Sequence, residues 1–211
     1  MDYPYVVLSI AMAVLTGLLA QVRLVVGPIP YTLQNVAVVL AGIILKPKYA
    51  FMSMVLYLVL IVVGVPVASG FRGGLSVLLG YTGGYLAGFA VSAPLMSMLT
   101  RLYLRLTNKE IREIGVGDAL VLLTLSFIAM IPAYVLGFLV FTYYALGSQA
   151  VMSWVERVIK YLNISLDDKL LQLFVVSVAI FIPQDLLMDH VLAITLAKYL
   201  SRILTYRGLE L

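Results

Sequence analysis

Cysteine is absent from this 211-residue chain, and histidine occurs only once, as His190. Without cysteine the chain has no disulfide, no thiolate metal ligand and no cysteine nucleophile. A single histidine also excludes a metal site built from several histidines. We therefore expect the chain to hold no metal.

Charged residues are scarce as well, at 11% of the chain against roughly 25% in a soluble domain. The hydrophobic fraction is 63% and the mean hydropathy is +1.09. These values predict an integral membrane protein, and we expect residues 1–211 to form a single membrane domain. The net charge of +4 is modest, and we attribute it to loop residues that set membrane topology and not to nucleic-acid binding.

Short motifs that bind nucleotides or carry out hydrolysis are also missing. The chain has no G-x-x-x-x-G-K-[ST] loop for ATP, no H-E-x-x-H metal helix and no G-x-S-x-G nucleophile turn. We therefore expect no catalytic residues and no enzyme activity. Any step that consumes ATP would have to come from another subunit.

Six apolar segments are present, and they predict an all-α bundle of six transmembrane helices. The second and third are shorter than the ~20 residues of a full crossing, and short spans interrupted by glycine or proline often mark binding sites in transporters. The segments are Tyr5–Val22, Tyr31–Leu45, Tyr49–Val63, Leu75–Leu104, Asp118–Leu146 and Leu170–Leu204.

Basic residues predict the orientation of these segments. Three basic clusters fall on one side of the membrane if all six segments cross it, and the positive-inside rule makes that side cytoplasmic. Both termini would then be cytoplasmic, and the glycine-rich stretch between the third and fourth segments would lie outside. The clusters are Lys46 and Lys48; Arg101, Arg105, Lys109 and Arg112; and Lys198, Arg202 and Arg207.

The stretch from Gly64 to Gly88 contains eight glycines and one arginine, Arg72. Irregular backbone is costly at membrane depth because unpaired amides face lipid, so we interpret the stretch as the wall of a ligand cavity. Gly73 and Gly74 would let backbone amides approach a ligand, and the Arg72 guanidinium could hold a carboxylate by two hydrogen bonds. The alternatives are a plain surface loop and an arginine that reaches the lipid head groups.

Polar and small residues in the first two segments each have two interpretations. Gln34 and Asn35 suit a polar, uncharged group of a ligand, and they could equally form hydrogen bonds between helices. Ala13, Gly17 and Ala20 form a stripe of small residues that allows close helix approach. This stripe would dock either within the chain or against a partner membrane protein.

Three ionisable residues lie inside the sixth segment: Asp185, Asp189 and His190. Pro183 removes a backbone donor beside Asp185, so we interpret Asp185 as part of a ligand site on a kinked helix. Its structural alternative is hydrogen bonding to neighbouring helices. Asp185 and Asp189 could instead relay protons in a self-sufficient carrier, or act as an acid-base pair in an intramembrane enzyme. We expect His190 to be packed or interfacial.

Between the fifth and sixth segments, Val151–Leu162 has apolar residues at helical spacing, with Trp154 beside them. The pattern predicts an interfacial helix. Such a helix would either cap the outer mouth of the bundle or rest on it as a loop helix.

A series of sequence blocks runs through the first half of the chain: Pro28-Ile-Pro-Tyr-Thr-Leu-Gln, Leu40-Ala-Gly, Val65-Pro-Val, Gly73-Gly-Leu-Ser-Val-Leu-Leu-Gly and Thr82-Gly-Gly-Tyr-Leu-Ala-Gly-Phe. In order and spacing, these blocks resemble the BioY family, the biotin-specific S-components of energy-coupling factor transporters. A weaker match recurs at Phe181-Ile-Pro-Gln-Asp-Leu-Leu.

The resemblance implies a six-helix protein of the S-component type in the cell membrane, which captures a vitamin from outside. Biotin is the expected ligand, and a transmembrane coupling protein and cytoplasmic ATPases are the expected partners. On this basis Asp185 would accept hydrogen bonds from the ureido group, and Arg72 would neutralise the carboxylate. Tyr85 and the amides near Gly83 and Gly84 would line the ring site. The small-residue stripe would be the docking surface for the coupling protein.

Four positions depart from the family pattern, and one of them is Tyr81, where typical members have proline. The family commonly has Pro-Gly-Asp-x-x-Lys in the last span, whereas this chain has Gln184 for the glycine and Met188 for the lysine. Arg72 stands where family members have a small residue. Because one cation is lost and another is gained, lipoate is the alternative ligand. It shares the carboxylate tail and a sulfur-containing ring, but it lacks the ureido group.

Overall fold

Most of the described residues belong to helices that pack side by side. The computed structural model describes residues 3–25 and 27–208. A 3-10 turn covers Ile111–Glu113. The helices and strands are α1 (Tyr3–Leu19), β1 (Arg23–Val25), β2 (Pro30–Thr32), α2 (Gln34–Ile44), α3 (Pro47–Val62), α4 (Leu75–Leu78), α5 (Gly83–Thr107), α6 (Val116–Leu146), α7 (Gln149–Tyr161), α8 (Lys169–Phe174), α9 (Ile182–Gln184) and α10 (Val191–Tyr206).

The last three helices form one long helix, Lys169–Tyr206, which we call the C-terminal helix. It is irregular, because π-helical segments occupy Val175–Ala179 and Asp185–His190. The regular pattern breaks just before Pro183, which has no backbone N–H to donate. π-Helical turns are rare and are frequent at functional sites, so this helix is the natural place to look for ligand contacts.

Each of the six apolar segments predicted from the sequence contains a helix, although the second segment, Tyr31–Leu45, begins within β2. The fourth segment, Leu75–Leu104, differs because the structure divides it into α4 and α5. The chain turns back at this point, and Gly83 lies so close to the Leu78 carbonyl that a Cβ atom would be 1.8 Å from its oxygen. The helix predicted over Val151–Leu162 is also present, as α7.

A short β-hairpin between α1 and α2 corrects the all-α prediction. β1 and β2 pair antiparallel, with Arg23 opposite Thr32 and Val25 opposite Pro30. The turn contains Gly27 at φ 95°, a left-handed conformation that favours glycine. A Cβ atom on Gly27 would be 2.2 Å from the Trp154 ring, so the tip of the hairpin lies directly against α7.

Two helices are long and apolar enough to cross a membrane by length and composition, namely α6 and the C-terminal helix. α1, α2 and α3 are apolar but have 10–17 residues. Among these, α2 is the most enclosed, because all of its residues except Asn35 are buried. A helix surrounded by other helices on every side forms the centre of the bundle.

α5 and α6 form a closely packed pair, and glycines allow their backbones to approach. A Cβ atom on Gly84 would be 2.1 Å from the Leu136 carbonyl oxygen, and one on Gly88 would be 2.3 Å from the Ala133 Cα atom. On α6, Gly137 leaves room for the Tyr85 ring, 2.2 Å from where its Cβ would lie. Small residues of this kind let helices pack by van der Waals contact inside a membrane.

The small-residue stripe of α1 lies inside the molecule. Ala13 and Ala20 have no exposed surface, and Gly17 is buried against Val67, whose Cβ would be 2.9 Å from an added methyl group. The stripe therefore docks within the chain, the first of its two interpretations. Its role as a docking surface for a partner protein stays a prediction, and it would require these buried residues to become exposed.

Candidate functional site

A cavity of about 720 Å³, measured with its open mouth, lies where the hairpin, α2, α5, α6 and the C-terminal helix meet. The glycine-rich stretch forms its remaining side. Its walls are mainly apolar and aromatic, with a few polar groups, as in most small-molecule sites. The lining residues are Ile29, Pro30, Tyr31, Thr32, Gln34, Asn35, Ala68, Ser69, Arg72, Val77, Thr82, Tyr85, Leu86, Phe89, Met130, Ala133, Tyr134, Ser177, Phe181 and Asp185.

Five of the predicted binding residues come together in this cavity. They come from four separate parts of the chain, and the structure brings them into one site: Gln34, Asn35, Arg72, Tyr85 and Asp185. The four predicted glycines, Gly73, Gly74, Gly83 and Gly84, do not line it. No bound ligand tests the binding role of either group, so both assignments stay predictions.

The glycines next to the cavity are placed where a side chain would strike backbone. For Gly73, an added Cβ would be 2.6 Å from the Val65 carbonyl oxygen and 2.7 Å from that of Gly64. Gly83 and Gly84 meet the carbonyls of Leu78 and Leu136 in the same way. These contacts give the glycines a packing function, since they hold the walls of the cavity together.

Asp185 occupies a buried position in the cavity wall, with 3% of its surface exposed. The Tyr134 hydroxyl donates to its Oδ2 at 2.8 Å, and the Asn35 side chain also hydrogen-bonds to it. A carboxylate in this setting is held by donors from α6 and α2, which position it for further contacts. Asp185 thus bonds to neighbouring helices and lines the cavity, which combines its two predicted interpretations.

Gln34 belongs to a buried hydrogen-bond network. Its Nε2 donates to the Tyr57 hydroxyl at 2.8 Å, and its Oε1 accepts from the Thr32 hydroxyl at 2.9 Å. The Tyr57 hydroxyl in turn donates to the Val67 carbonyl at 3.3 Å. The Gln34 amide therefore hydrogen-bonds to neighbouring elements, which was the alternative interpretation of this residue. Gln34 also lines the cavity.

Arg72 lies at the exposed side of the cavity. Its Nε donates to the Ser69 carbonyl at 3.0 Å, within a tight turn closed by backbone bonds between Ala68 and Arg72. The Gln21 side chain fixes the same turn, because its Oε1 accepts from the Phe71 amide at 2.9 Å and its Nε2 donates to the Ala68 carbonyl at 3.1 Å. Gln21 was not singled out in the sequence, where a glutamine at the end of an apolar segment is an ordinary feature.

Three tyrosine rings line the cavity, and each hydroxyl bonds to the C-terminal helix. Tyr31 donates to Asp189 Oδ1 at 2.5 Å, Tyr85 to the Ser177 carbonyl at 2.5 Å and Tyr134 to Asp185. Burial raises the pKa of the Tyr31 hydroxyl, and the bond to Asp189 raises it further, so this group keeps its proton. Sequence reasoning missed Tyr31 and Tyr134. The sequence could have indicated both residues, because a tyrosine in an apolar segment needs a hydrogen-bond partner for its hydroxyl.

The cavity therefore presents an anionic group at a buried position and a cationic group at an exposed one. Asp185 is an acceptor for N–H donors, and Arg72 is a donor to an anion. The other lining residues are mainly apolar and aromatic side chains, among them Phe89, Met130 and Phe181. This arrangement suits a small elongated ligand that has a hydrogen-bonding head, an apolar middle and an anionic tail.

His190 and Met188, which flank Asp189, lie outside the cavity lining. His190 is fully buried, and its Nδ1 lies 2.8 Å from the Ser126 hydroxyl, so it is packed as predicted. Met188 is 54% exposed and points away from the site. Within residues 3–25 and 27–208, no three histidine, cysteine, aspartate or glutamate side chains are grouped to hold a metal ion.

α7 packs against the tip of the hairpin. Its buried residues Val151, Val155 and Ile159 pack in one apolar cluster with Ile29, a cavity residue of the hairpin. The helix thus contacts the cavity wall from outside. This location agrees with the capping interpretation of the predicted interfacial helix.

The whole chain is similar to a known family, because the BioY family profile matches residues 2–206. This chain belongs to the BioY family. The family resemblance inferred from the motifs is therefore confirmed.

Curated relatives match less than half of this chain. "Probable biotin transporter BioY" of Pyrococcus horikoshii is 45% identical over 78 residues, which are 37% of this chain and 48% of that protein. "Biotin transporter BioY" of Thermotoga maritima is 40% identical over 80 residues, 38% of this chain and 47% of that protein. The chain spans about half the length of the curated relatives it matches.

A solved structure shares the fold over nearly the full length. The crystal structure of the S-component for biotin from an ECF-type ABC transporter superposes with a TM-score of 0.70. The likeness covers 95% of this chain and 92% of that chain, at 22% identity. The S-component fold implied by the motifs is thus confirmed.

Proposed function

We propose that this chain is the substrate-binding membrane subunit of a vitamin uptake system, and that its ligand is biotin. The observation that carries the proposal is a single, mainly apolar cavity that is lined by both Asp185 and Arg72. The relatives named as biotin transporters support the same ligand. The chain has no ATP-binding loop, so we assign the energy-consuming step to partner subunits, a transmembrane coupling protein and cytoplasmic ATPases.

We assign the ligand's polar groups to the two charged residues. Asp185 accepts from the two ureido N–H groups, a role for which its own hydrogen bonds to Tyr134 and Asn35 prepare it. Arg72 neutralises the valerate carboxylate at the exposed side. The Tyr85 ring, with Phe89 and Phe181, contacts the apolar ring system. The Gly83 and Gly84 amides remain predicted contacts.

We further propose six membrane crossings, by α1, α2, α3, α5, α6 and the C-terminal helix. α2 has 11 residues and extends only about 16 Å at 1.5 Å per residue, short of the ~30 Å hydrocarbon core. Its burial supports a crossing all the same, because neighbouring helices and not lipid surround it. The hairpin comes directly before α2 in the chain, and the Ala68–Arg72 turn comes after α3. We place both at the outer side of the membrane.

Contacts between the chain segments that carry the basic clusters support cytoplasmic termini. The Lys46 ammonium lies 4.5 Å from the centroid of the Tyr5 ring near the start of α1, and Ser97 on α5 donates to the Leu45 carbonyl. α10 packs against the 3-10 turn Ile111–Glu113. The three clusters therefore share one end of the bundle, which the positive-inside rule assigns to the cytoplasm.

Binding measurements on purified protein test the proposed function. We expect biotin to bind, Asp185→Asn to weaken biotin and biotin amide alike by about 10- to 100-fold, and Arg72→Ala to weaken biotin by a similar factor. Biotin amide lacks the carboxylate, so Arg72→Ala should leave its affinity almost unchanged. Titration calorimetry measures all four combinations.

Arg157→Ala is the matched control, because Arg157 is an exposed arginine of α7 outside the cavity lining. It should bind biotin like the unchanged protein. Lipoate in place of biotin tests the alternative ligand. Unchanged biotin affinity in both Asp185→Asn and Arg72→Ala would contradict the site, and tighter binding of lipoate than of biotin would contradict the ligand.

A further inference from the structure

Asp189 is a buried carboxylate outside the cavity lining, and the binding site as described does not use it. It has no exposed surface. Its Oδ1 accepts from the Tyr31 hydroxyl at 2.5 Å, and its Oδ2 has no hydrogen-bond partner among the residues of the structure's two described ranges. The partner Tyr31 lies 158 positions earlier in the chain. Asp189 therefore joins the C-terminal helix to the hairpin.

The hairpin is the wall of the cavity that carries the most consecutive lining residues, from Ile29 to Thr32. Its other contacts are with the loops and helices around it. Its tip rests on Trp154 through Gly27, Ile29 packs in the apolar cluster under α7, and the Arg23 guanidinium lies 2.4 Å from where a Cβ atom on Gly70 would be. Among the residues that the structure describes, the two strands pair only with each other. The Tyr31 hydroxyl, which also hydrogen-bonds to the Gln184 side chain, is its polar link to the C-terminal helix.

We propose that Asp189 is a positioning residue, which holds the hairpin over the cavity through Tyr31 and thereby sets how long a ligand stays bound. The part of this inference that concerns ligand release rests on the proposed function. The part that concerns the hairpin does not, because it describes the protein without ligand.

The physical reason is the cost of a buried carboxylate without a partner. While the hairpin is in place, the Tyr31 hydroxyl satisfies one oxygen of Asp189. When the hairpin moves away, that hydrogen bond is lost and the carboxylate stays buried in the helix bundle, which is unfavourable. Asp189 therefore favours the closed position of the hairpin. This role requires a hydrogen-bond acceptor and no proton transfer, which separates it from a proton relay.

Trp154 offers a direct readout, because it is the only tryptophan and the hairpin tip lies against its ring. In the full-length protein in lipid nanodiscs without ligand, we expect acrylamide to quench Trp154 more strongly in Asp189→Ala and in Tyr31→Phe than in the unchanged protein. Asp189→Asn should behave like the unchanged protein, because its amide oxygen still accepts from Tyr31. The double variant of Asp189→Ala and Tyr31→Phe should be no worse than either single one.

Release of radiolabelled biotin tests the functional consequence. Asp189→Ala and Tyr31→Phe should release biotin about 10- to 100-fold faster, with little change in the association rate, because entry proceeds through the open hairpin in all variants. Ser126→Ala is the matched control. It removes the buried partner of the neighbouring His190 without touching the hairpin, and should change neither quenching nor release.

Three outcomes would overturn the inference. The first is unchanged Trp154 quenching in both Asp189→Ala and Tyr31→Phe, and the second is an equal increase in quenching in Ser126→Ala. The third is an increase in quenching in Asp189→Asn as large as in Asp189→Ala. The last result would indicate a role for titration. If Asp189→Ala does not fold, Tyr31→Phe tests the same bond from the hairpin side. If the unchanged protein binds no biotin, the proposed ligand is wrong, while the quenching result still decides the role of Asp189.

Discussion

The α5–α6 pair and the C-terminal helix line the same cavity, and they are constructed in opposite ways. α5 and α6 are regular α-helices whose backbones approach closely at Gly84 and Gly88. The C-terminal helix contains two π-helical segments and buries Asp185, Asp189 and His190. One side of the cavity is thus held by close packing, and the other carries polar groups that bond to Tyr31, Tyr85 and Tyr134.

The two regions therefore have different functions: the α5–α6 pair supports the cavity, and the C-terminal helix carries the groups that would recognise a ligand. Close backbone packing tolerates almost no added volume, since protein interiors are already dense. The irregular helix can present carboxylates to partners from several directions, since its turns differ from the regular 3.6-residue pattern. We therefore expect changes in the α5–α6 pair to affect mainly folding, and changes in the C-terminal helix to affect mainly ligand binding.

The largest effect should follow from adding one methyl group between α5 and α6. Gly84→Ala would place a Cβ atom 2.1 Å from the Leu136 carbonyl oxygen, a backbone atom that moves only with its helix. We expect a destabilisation of about 2–3 kcal/mol, measured as thermal unfolding in detergent followed by circular dichroism.

Gly117→Ala is the matched control, because nothing lies within 4 Å of the position of its Cβ near the start of α6. It should leave stability unchanged or raise it by up to about 1 kcal/mol, since alanine favours a helix more than glycine does. Equal losses of thermal stability in Gly84→Ala and Gly117→Ala would show that Gly84 is not required for the close approach of α5 and α6.

An intermediate effect is expected at Tyr85, which belongs to both regions. Its ring packs against Gly137 of α6, and its hydroxyl donates to the Ser177 carbonyl of the C-terminal helix. Tyr85→Phe keeps the ring and removes the hydrogen bond, so unfolding should become easier by about 1 kcal/mol. The same thermal measurement checks it.

The biotin affinity of Tyr85→Phe can be compared with that of Asp185→Asn. Because the ring remains, Tyr85→Phe should weaken biotin binding less than Asp185→Asn does. A Tyr85→Phe protein that keeps full stability and loses most of its affinity would mean that the hydroxyl contacts the ligand and not the helix.

The smallest effect on binding is expected at Met188, three residues after Asp185. Its side chain is 54% exposed and does not line the cavity. Met188→Lys should therefore change biotin affinity by less than about twofold, as for surface positions generally. Equilibrium binding of radiolabelled biotin, normalised to folded protein, measures this. A strong gain in affinity would show that this position faces the ligand.

Much of the helical framework could be predicted because apolar periodicity and length are local properties. The ends of α6 and of the C-terminal helix lie within two residues of the predicted ones. The hairpin could not be predicted in this way, because three-residue strands are too short to show a period. Likewise, the stripe of Ala13, Gly17 and Ala20 permits close packing, but its partner Val67 lies in a distant loop.

For the candidate site, the sequence marked the charged residues, and their binding role stays a prediction. Asp185 and Arg72 are rare charges among apolar residues, and that rarity alone marks them. The family resemblance placed the Gly83 and Gly84 amides at the ring site, and in the structure a Cβ atom on either glycine would meet the carbonyl of Leu78 or Leu136. A glycine that admits a ligand and one that admits another helix have the same sequence signal.

Composition and motif order were enough to establish a membrane protein of the BioY family with two marked charges, because hydropathy and residue identity are carried by the chain itself. The direction that each side chain faces depended on the folded molecule. Tyr31 and Asp189 are separated by 158 positions and meet only after the hairpin and the C-terminal helix have packed. Contacts across such distances follow from the packing of whole elements, and no local pattern encodes them.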